Sequence, residues 1–221
     1  MLQLPPLGYV ALGAVIGFAL GVARNFLRRP HGFQNRGEVL VSQALRAHFG
    51  APDYHLMNHV TLAFKDGSTQ VDHILVSRFG VFVIEAKDYK GWIFANASQK
   101  TWTQVLFRRK FKFQNPIFQN LRHVLAIERL LDFLPPGAVK SVVVFTDRST
   151  FKTEKPAGVL SLAELVAYLR GYQEEVMSVN RVQFCVGRLE TARFAISAQT
   201  DVEHVENLAR RHGKSNAGKV T

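Results

Sequence analysis

The sequence is poor in cysteine and in acidic residues. Its single cysteine, Cys185, excludes an intramolecular disulfide and a zinc site built from cysteines, which is typical of proteins in a reducing compartment. Asp and Glu number 17 against 28 Lys and Arg, so the formal net charge is +11. This charge favours a polyanionic partner, either nucleic acid or acidic lipid headgroups, without distinguishing the two. The length of 221 residues suits one domain with an appendage.

Charge is also missing from residues 7–23, which read LGYVALGAVIGFALGVA. A helix of this length spans about 25 Å at 1.5 Å per residue, and we therefore expect residues 1–27 to form a transmembrane anchor. No Lys or Arg precedes the apolar segment, whereas Arg24, Arg28 and Arg29 follow it. The positive-inside rule then predicts a single-pass protein of the inner (cytoplasmic) membrane, with its amino terminus outside and its domain in the cytoplasm.

A cleaved signal peptide is the alternative for this segment, but its basic residues would have to precede the apolar run. Gly13, Gly17 and Gly21 recur every fourth residue, which predicts a helix face that a second copy could approach closely in a homo-oligomer. Residues 28–36 contain Pro, Gly and polar residues without periodicity and are predicted to form a juxtamembrane linker.

The rest of the chain has an α/β pattern, with residues 37–146 as its core. Val71–Ser77 and Val81–Lys87 are apolar runs separated by a short loop, which indicates a β-hairpin. The other predicted elements are a helix over 37–49, a strand over 54–64, short strands within 92–103, a helix over 116–134 and a buried strand over 141–146. Residues 147–212 are predicted to be a helical extension, with helices near 161–176 and 200–212, and residues 213–221 a basic disordered tail.

The predicted hairpin carries two acids and a lysine. If Ser77 pairs with Gly80, Asp72 lies opposite Glu85, with Cβ atoms about 5 Å apart. Because side chains alternate along a strand, Lys87 shares the face of these two acids. A bulge at Gly80 would shift the register by one residue and separate the acids, so the prediction depends on that register.

Two carboxylates at this separation repel each other, and a hard divalent cation, Mg²⁺ or Mn²⁺, relieves the repulsion through oxygen ligands. Such a cation polarises a phosphodiester and lowers the pKa of a bound water, while Lys87 orients that water or stabilises charge on the phosphate. The pattern therefore predicts metal-assisted phosphodiester hydrolysis. A purely structural ion pair between Lys87 and one acid is the alternative that these residues leave open.

Residues 37–131 resemble the nuclease-related domain (NERD), a branch of the PD-(D/E)xK, restriction-endonuclease-like nucleases. The resemblance is carried by GE at 37–38, QVDHILVS at 70–77, GVFVIEAK at 80–87, a Trp at 102 and NPIFQN at 115–120. It implies a restriction-endonuclease-like α-β-β-β-α-β core and a site formed by Glu38, Asp72, Glu85, Lys87 and Gln119. It also implies that Asp72, Glu85 and Glu38 bind the metal. Val71 stands where the larger group has proline.

Several of these residues also suit purely structural roles. Glu38 in a first helical turn is favourable through the helix dipole. Asn115 and Pro116 suit the N-cap and first position of a helix, and His73 suits a core position. A basic segment of Arg108, Arg109, Lys110 and Lys112 is interleaved with phenylalanines, and strand alternation would separate Lys110 and Lys112 from Phe111 and Phe113. It predicts phosphate binding, with a solvated face or attraction to a bilayer as alternatives.

Three classes of function are consistent with these features. The first is a membrane-tethered, Mg²⁺-dependent nuclease acting on DNA, with RNA as a second substrate class. The second is a non-cleaving module, derived from a nuclease, that recruits nucleic acid or protein to the membrane. The third is a structural membrane protein that assembles through its glycine face. Retention of an acid pair that repels phosphate favours the first class.

Overall fold

The structure is a computed structural model that describes residues 35–65 and 67–193. In these residues a mixed α/β fold is built from four helices and two sheets. The helices are α1 (Arg36–His48), α2 (Pro116–Leu130), α3 (Leu162–Arg170) and α4 (Val179–Ala192). The strands are β1 (Tyr54–Phe64), β2 (Gly67–Ser77), β3 (Gly80–Lys87), β4 (Gly91–Phe94), β5 (Thr101–Leu106), β6 (Arg109–Gln114), β7 (Val139–Phe145), β8 (Ser149–Phe151) and β9 (Val159–Ser161).

The main sheet has the strand order β1-β2-β3-β7-β9 and helices on both faces. Strands β1, β2 and β3 are antiparallel neighbours, whereas β7 runs parallel to β3 and therefore needs a long crossover, which contains α2. Apolar side chains of α2 and α4 pack on one face of the sheet, and those of α1 and α3 pack on the other. Strand β3 is consequently buried on both faces, which explains its nearly continuous apolar sequence.

The hairpin between β2 and β3 has a two-residue loop, Arg78 and Phe79, with Ser77 paired to Gly80. Gly80 has a φ of 138°, and a Cβ atom there would lie 2.9 Å from the carbonyl oxygen of Ala138. Glycine is therefore required where the hairpin approaches the segment before β7. The pairing runs without a bulge to His73 and Ile84, so the register on which the site prediction depended is confirmed.

The second sheet has the order β6-β5-β4-β8, and residues 88–90 connect Lys87 to its first strand. Gly91 opens β4 with a φ of 82°, and a Cβ atom there would lie 2.4 Å from the carbonyl oxygen of Val105. One face of the sheet is anchored by the buried Trp102, whose ring stacks on Phe145 of the main sheet with 6.1 Å between centroids. The core order α-β-β-β-α-β is therefore present, with β4, β5 and β6 inserted before α2.

The carboxyl-terminal part differs from its predicted pattern. Strands β8 and β9 occupy part of the segment expected to be helical, and the helix predicted over 161–176 ends at Arg170. Helix α4 was not predicted. Its buried stripe of Val182, Cys185, Val186 and Leu189 has helical i, i+3, i+4, i+7 spacing, but the helix also contains β-branched residues and Gly187, which have weak helix propensity. The stripe joins the core cluster on the α2 side of the main sheet, and that burial compensates for the weak local preference.

Several predictions concern residues outside the described ranges: the transmembrane helix over 7–23 with its glycine face, the linker up to residue 34, the helix over 200–212 and the tail over 213–221. Within 35–65 and 67–193, no helix combines the length and apolar character needed to cross a membrane.

Candidate active site

Asp72 and Glu85 meet at the end of the β2–β3 ladder. The last backbone pair of that ladder is His73 with Ile84. Beyond this pair, the side chain of Asp72 rather than a backbone carbonyl of β2 accepts the hydrogen bond from β3. Its Oδ2 accepts a hydrogen bond of 2.8 Å from the backbone N–H of Ala86. The Asp72 carboxylate therefore lies against β3, beside Glu85.

Glu85 is only 2% exposed and accepts hydrogen bonds on both carboxylate oxygens. Lys87 Nζ lies 2.5 Å from Oε1, and Gln119 Nε2 donates to the same oxygen at 2.6 Å. Lys87 Nζ also donates to Gln119 Oε1 at 3.0 Å, so these three side chains form a closed triangle. His123 Nε2 donates to the other carboxylate oxygen at 3.2 Å. The buried charge is thereby paired and hydrogen-bonded, as its burial requires.

The two acids respond to this environment in opposite ways. Burial alone would raise the pKa of Glu85, but the hydrogen bond from His123 and the charge of Lys87 outweigh it and lower that pKa. Burial alone would lower the pKa of Lys87, but the negative charge of Glu85 and the hydrogen bond to it outweigh burial and raise that pKa. Burial raises the pKa of Asp72 well above its usual range, and the charges of Glu85 and Glu38 raise it further. Without a cation, the cluster stabilises one ionised carboxylate and disfavours ionisation of the second.

Helix α2 supplies Gln119 and His123 from one face, because the two residues are four positions apart. Asn115 caps the helix through a 2.9 Å hydrogen bond from the N–H of Ile117, and Pro116 follows as its first residue, as predicted. The buried Asn120 donates to the carbonyl oxygens of Val83 (2.9 Å) and Val142 (3.1 Å), one on β3 and one on β7. These bonds fix the helix above the strand that carries Glu85 and Lys87.

Glu38 lies in the first turn of α1, where Asn35 is the N-cap and its side chain donates to Glu38 Oε1. Glu38 Oε2 lies 3.6 Å from His59 Nδ1. Burial raises the pKa of Glu38, the Asn35 backbone hydrogen bond opposes this, and the Glu85 charge adds to it. Glu38 thus has the contacts of a helix-capping residue, and it also interacts electrostatically with Glu85 of the acid pair. Its role as a metal ligand remains a prediction.

Two histidines near the site were not predicted. His123 could have been found from its spacing of four after Gln119, whereas His59 has no comparable local signal. His59 has a φ of 51° and interrupts the β1–β2 pairing between Asn58–His73 and Val60–Val71, beside Asp72. His73 was expected in the core and is fully buried, with Nδ1 2.7 Å from Asn58 Oδ1. Burial lowers its pKa to about 3.

The family model of the nuclease-related domain matches residues 34–146, which include every one of these side chains. The chain belongs to the nuclease-related domain family. It is also similar to an uncharacterized protein of Bacillus anthracis, with 31% identity over 183 residues that cover 80% of this chain and 84% of the relative. The match confirms the family resemblance based on the sequence motifs.

The basic segment of this nuclease-related domain lies on the second sheet, at the β5–β6 hairpin. Lys110 pairs with Val105 and Lys112 with Thr103, whereas Phe111 and Phe113 pair with Gln104 and Trp102 on the opposite face. The predicted separation of lysines from phenylalanines is therefore confirmed. Arg108, Arg109, Lys110 and Lys112 are all exposed, and their contact with phosphate remains a prediction.

The donor chemistry of the domain's acid cluster suits a hard divalent cation, because Asp72, Glu85 and Glu38 offer carboxylate oxygens whose mutual repulsion a cation would relieve. Across the described part of the chain, no three His, Cys, Asp or Glu side chains are already grouped as ligands. In this arrangement Glu85 Oε1 instead contacts Lys87 and Gln119.

Proposed function

We propose that this nuclease-related domain hydrolyses phosphodiester bonds of nucleic acid, with DNA as the expected substrate, in a reaction that depends on Mg²⁺ or Mn²⁺. The observation that carries the proposal is that Asp72 on β2 meets Glu85 and the half-buried Lys87 at the end of β3, with the pKa values of the two acids shifted in opposite directions. Such divergent shifts in neighbouring titratable groups are characteristic of functional sites.

In this proposal Asp72 and Glu85 hold the cation, and Glu38 is the third candidate ligand. The bound cation supplies Lewis-acid polarisation of the phosphate and a water of lowered pKa. Because the pKa of Asp72 is raised, its carboxyl must lose a proton before it binds a cation, so the affinity for Mg²⁺ should increase with pH. Lys87 keeps its proton, and its Nζ would donate to a phosphate oxygen of the substrate.

Gln119 and His123 orient the charged groups in this scheme. Gln119 contacts both Lys87 and Glu85, so its amide keeps the ammonium group and the carboxylate in a set relative position. His123 supports Glu85 from the other side and contacts the hydroxyl of Thr69 through Nδ1 at 2.7 Å. Both are positioning residues, because each acts through Glu85 or Lys87.

One observation favours the non-cleaving alternative. Glu85 is fully hydrogen-bonded by Lys87, Gln119 and His123, which is what a purely structural buried ion pair needs. A domain of this kind would bind nucleic acid or a protein partner without hydrolysis. The two functions differ in their response to Mg²⁺, because only the nuclease requires the cation for its reaction.

The deciding experiment is a cleavage assay of the full-length chain with single- and double-stranded DNA and RNA, in Mg²⁺ or in EDTA. We expect cleavage in Mg²⁺, none in EDTA, and none with Asp72→Ala, which removes a ligand. Asp53→Ala is the matched control, because Asp53 is a partly exposed acid that pairs with Arg78 on the β2–β3 loop. Cleavage that survives Asp72→Ala, or that continues in EDTA, would refute the proposed site.

The anchor is a second part of the proposal: residues 7–23 tether the domain to the inner membrane and leave it in the cytoplasm. The uncharged apolar sequence and the arginines after it support this. We expect the chain to stay in the membrane fraction after high-salt washing, because an inserted helix does not depend on screened charge. Protease added outside intact cells should spare the domain. Release by salt would disprove the anchor, and digestion from outside would reverse the topology.

A further inference from the structure

The second sheet has a solvent-facing side that the hydrolysis proposal does not use. We call it the outer aromatic face. It consists of Trp92 and Phe94 on β4, Thr103 and Val105 on β5, Lys110 and Lys112 on β6, Thr150 on β8, and Lys152 directly after β8.

Cross-strand register places these residues in rows. Trp92 pairs with Val105, which pairs with Lys110, and Thr150 is the neighbour of Trp92 on its other side. In the next row Phe94 pairs with Thr103, which pairs with Lys112. Each aromatic ring therefore lies two strands, about 10 Å, from a lysine.

The two aromatic side chains are unusually accessible. Trp92 is 50% exposed and Phe94 is 39% exposed, whereas Trp102 on the inner side of the same sheet is 1% exposed. Lys152 Nζ lies 4.8 Å from the centre of the Trp92 ring, so a cation already contacts the indole. Burial in the core does not account for this pair of aromatics, because the core contacts of the sheet come from its other side.

The charge on β4, β5 and β6 has a single sign, whereas Asp147 and Glu154 flank β8 at the edge of the sheet. Residues 89–114, which form β4, β5 and β6 with their loops, contain six Lys or Arg and no Asp or Glu. More than half of the formal net charge of +11 therefore originates in this short segment. Lys110, Lys112 and Lys152 are exposed and available to phosphate groups.

We propose that the outer aromatic face binds single-stranded nucleic acid, with bases stacked on Trp92 and Phe94 and phosphates held by the lysines. This inference rests on the proposed nuclease function and specifies its substrate class. Stacking needs unpaired bases, whose ring faces are hidden in a duplex, so the aromatic residues favour a single strand. A bilayer would engage the tip of the β5–β6 hairpin, where Phe107 is 94% exposed, rather than Trp92 and Phe94, which lie within β4.

The face is also close enough to the acid cluster to act on the same strand. Trp92 follows Lys87 by five residues, so their Cα atoms are at most about 18 Å apart even if the connection is fully extended. The separation between the backbone of the outer aromatic face and that of the acid cluster is therefore no more than the length of a few nucleotides.

The test is binding of the full-length chain, in detergent and EDTA, to fluorescein-labelled oligo(dT), measured by fluorescence anisotropy. EDTA separates binding from hydrolysis. We expect Trp92→Ala and Phe94→Ala each to weaken binding about tenfold. Phe184→Ala is the matched control, because Phe184 is 56% exposed on α4, outside this sheet, and its loss should leave the affinity unchanged. Trp92→Phe retains a stacking ring and should bind within about threefold of the parent chain.

The same titrations include a duplex of matching sequence and vesicles containing phosphatidylserine. Weaker binding to the duplex, together with the aromatic-specific loss, supports the inference. Equal affinity for duplex and single strand, absence of oligo(dT) binding, equal losses with Phe184→Ala, or vesicle binding that Trp92→Ala weakens more than oligo(dT) binding would each overturn it. Vesicle binding through residues 7–23 does not depend on Trp92. A chain that binds oligo(dT) through Trp92 but does not cleave in Mg²⁺ would refute only the nuclease proposal, and a cleaving chain that is insensitive to Trp92→Ala would refute only this one.

Discussion

The acid cluster on the main sheet and the basic side of the second sheet use charge in opposite ways. Glu85 is buried and the Lys87 side chain is only 16% exposed, and each has a pKa set by a few fixed neighbours. Lys110 and Lys112 are exposed, and residues 89–114 around them contain no acid. The first region therefore depends on individual contacts, and the second on the summed field of many cations.

This difference predicts the size and the salt dependence of the effects of substitutions in the two regions. A buried ion pair interacts strongly in its low-dielectric surroundings, and removing one partner leaves the other uncompensated. Exposed charges are screened by water and salt, so each contributes little and their effects vary with ionic strength. Changes in the acid cluster should therefore be large and insensitive to salt, whereas changes on the basic side should be small and salt-dependent.

The largest expected effect is on turnover. Lys87→Ala should reduce the cleavage rate by roughly 10²–10³-fold, because it removes the ammonium group proposed to donate to a phosphate oxygen, while Mg²⁺ binding is retained. The rate is measured at saturating substrate and cation binding by isothermal titration calorimetry. Lys112→Ala is the control from the exposed region and should leave the maximal rate unchanged. Comparable losses in both variants would remove the distinction between the two regions.

The next effect is on folding. Lys87→Ala should lower the free energy of unfolding by about 3 kcal/mol, because Glu85 keeps a buried charge without its cation. The double variant Glu85→Gln with Lys87→Ala should recover part of that loss, since no unpaired charge remains. Urea unfolding of the single and double variants measures both values. A double variant whose loss equals the sum of the two single losses would show that the pair is not coupled.

Asp72→Asn should stabilise the cation-free protein. The pKa of Asp72 is higher in the folded than in the unfolded protein. The protonated carboxyl group therefore contributes its full stabilisation below the pKa of the unfolded chain, about 4, and this stabilisation is lost as the pH rises through the pKa of the folded protein. The variant should therefore unfold about 2–4 °C higher than the parent chain at neutral pH in EDTA, with the gain shrinking towards pH 4. Thermal denaturation followed by circular dichroism measures this gain.

Added Mg²⁺ provides the complementary comparison for Asp72→Asn. The parent chain should gain stability with the cation, because a ligand that binds only the folded state stabilises it, whereas the variant should gain little. An Asp72→Asn protein that is less stable than the parent in EDTA would contradict the repulsion inferred between the acids.

The smallest effect concerns the exposed cations. Lys112→Gln should lower the slope of the logarithm of oligo(dT) affinity against the logarithm of salt concentration by about one, through loss of one phosphate contact. Lys65→Gln removes an exposed lysine from the turn after β1 and should leave the slope unchanged. The measurement is anisotropy across a salt series in EDTA. An equal slope in all three chains would argue against phosphate contacts on the outer aromatic face.

Much of the fold could be predicted because the signals are local. Two apolar runs and the short loop between them indicate the β2–β3 hairpin, and the structure confirms the register assumed for it. Asn115 and Pro116 mark the start of α2 through their capping chemistry. Helix α4 was missed although its buried stripe has helical spacing, because its β-branched residues and Gly187 have weak helix propensity and its stability comes from packing against the main sheet.

The positions of Asp72, Glu85, Lys87 and Gln119 follow from the family motifs, and the structure places these four side chains together. His59 reaches Glu38 only because a left-handed backbone at His59 interrupts the β1–β2 ladder beside Asp72. A local sequence pattern does not report such an interruption, since it depends on the partner strand.

Local sequence patterns were sufficient to predict the main strands and helices of the core and the acid pair with its lysine, while the hairpin register rested on the assumption that Ser77 pairs with Gly80. These features depend on the period of side-chain alternation and on residues within one hairpin. Two other contacts became visible only in the tertiary structure: the hydrogen bond of His123 to Glu85, and the position of Lys152 over the ring of Trp92, 60 residues earlier in the chain. Such contacts depend on how separate elements pack, which local periodicity does not encode.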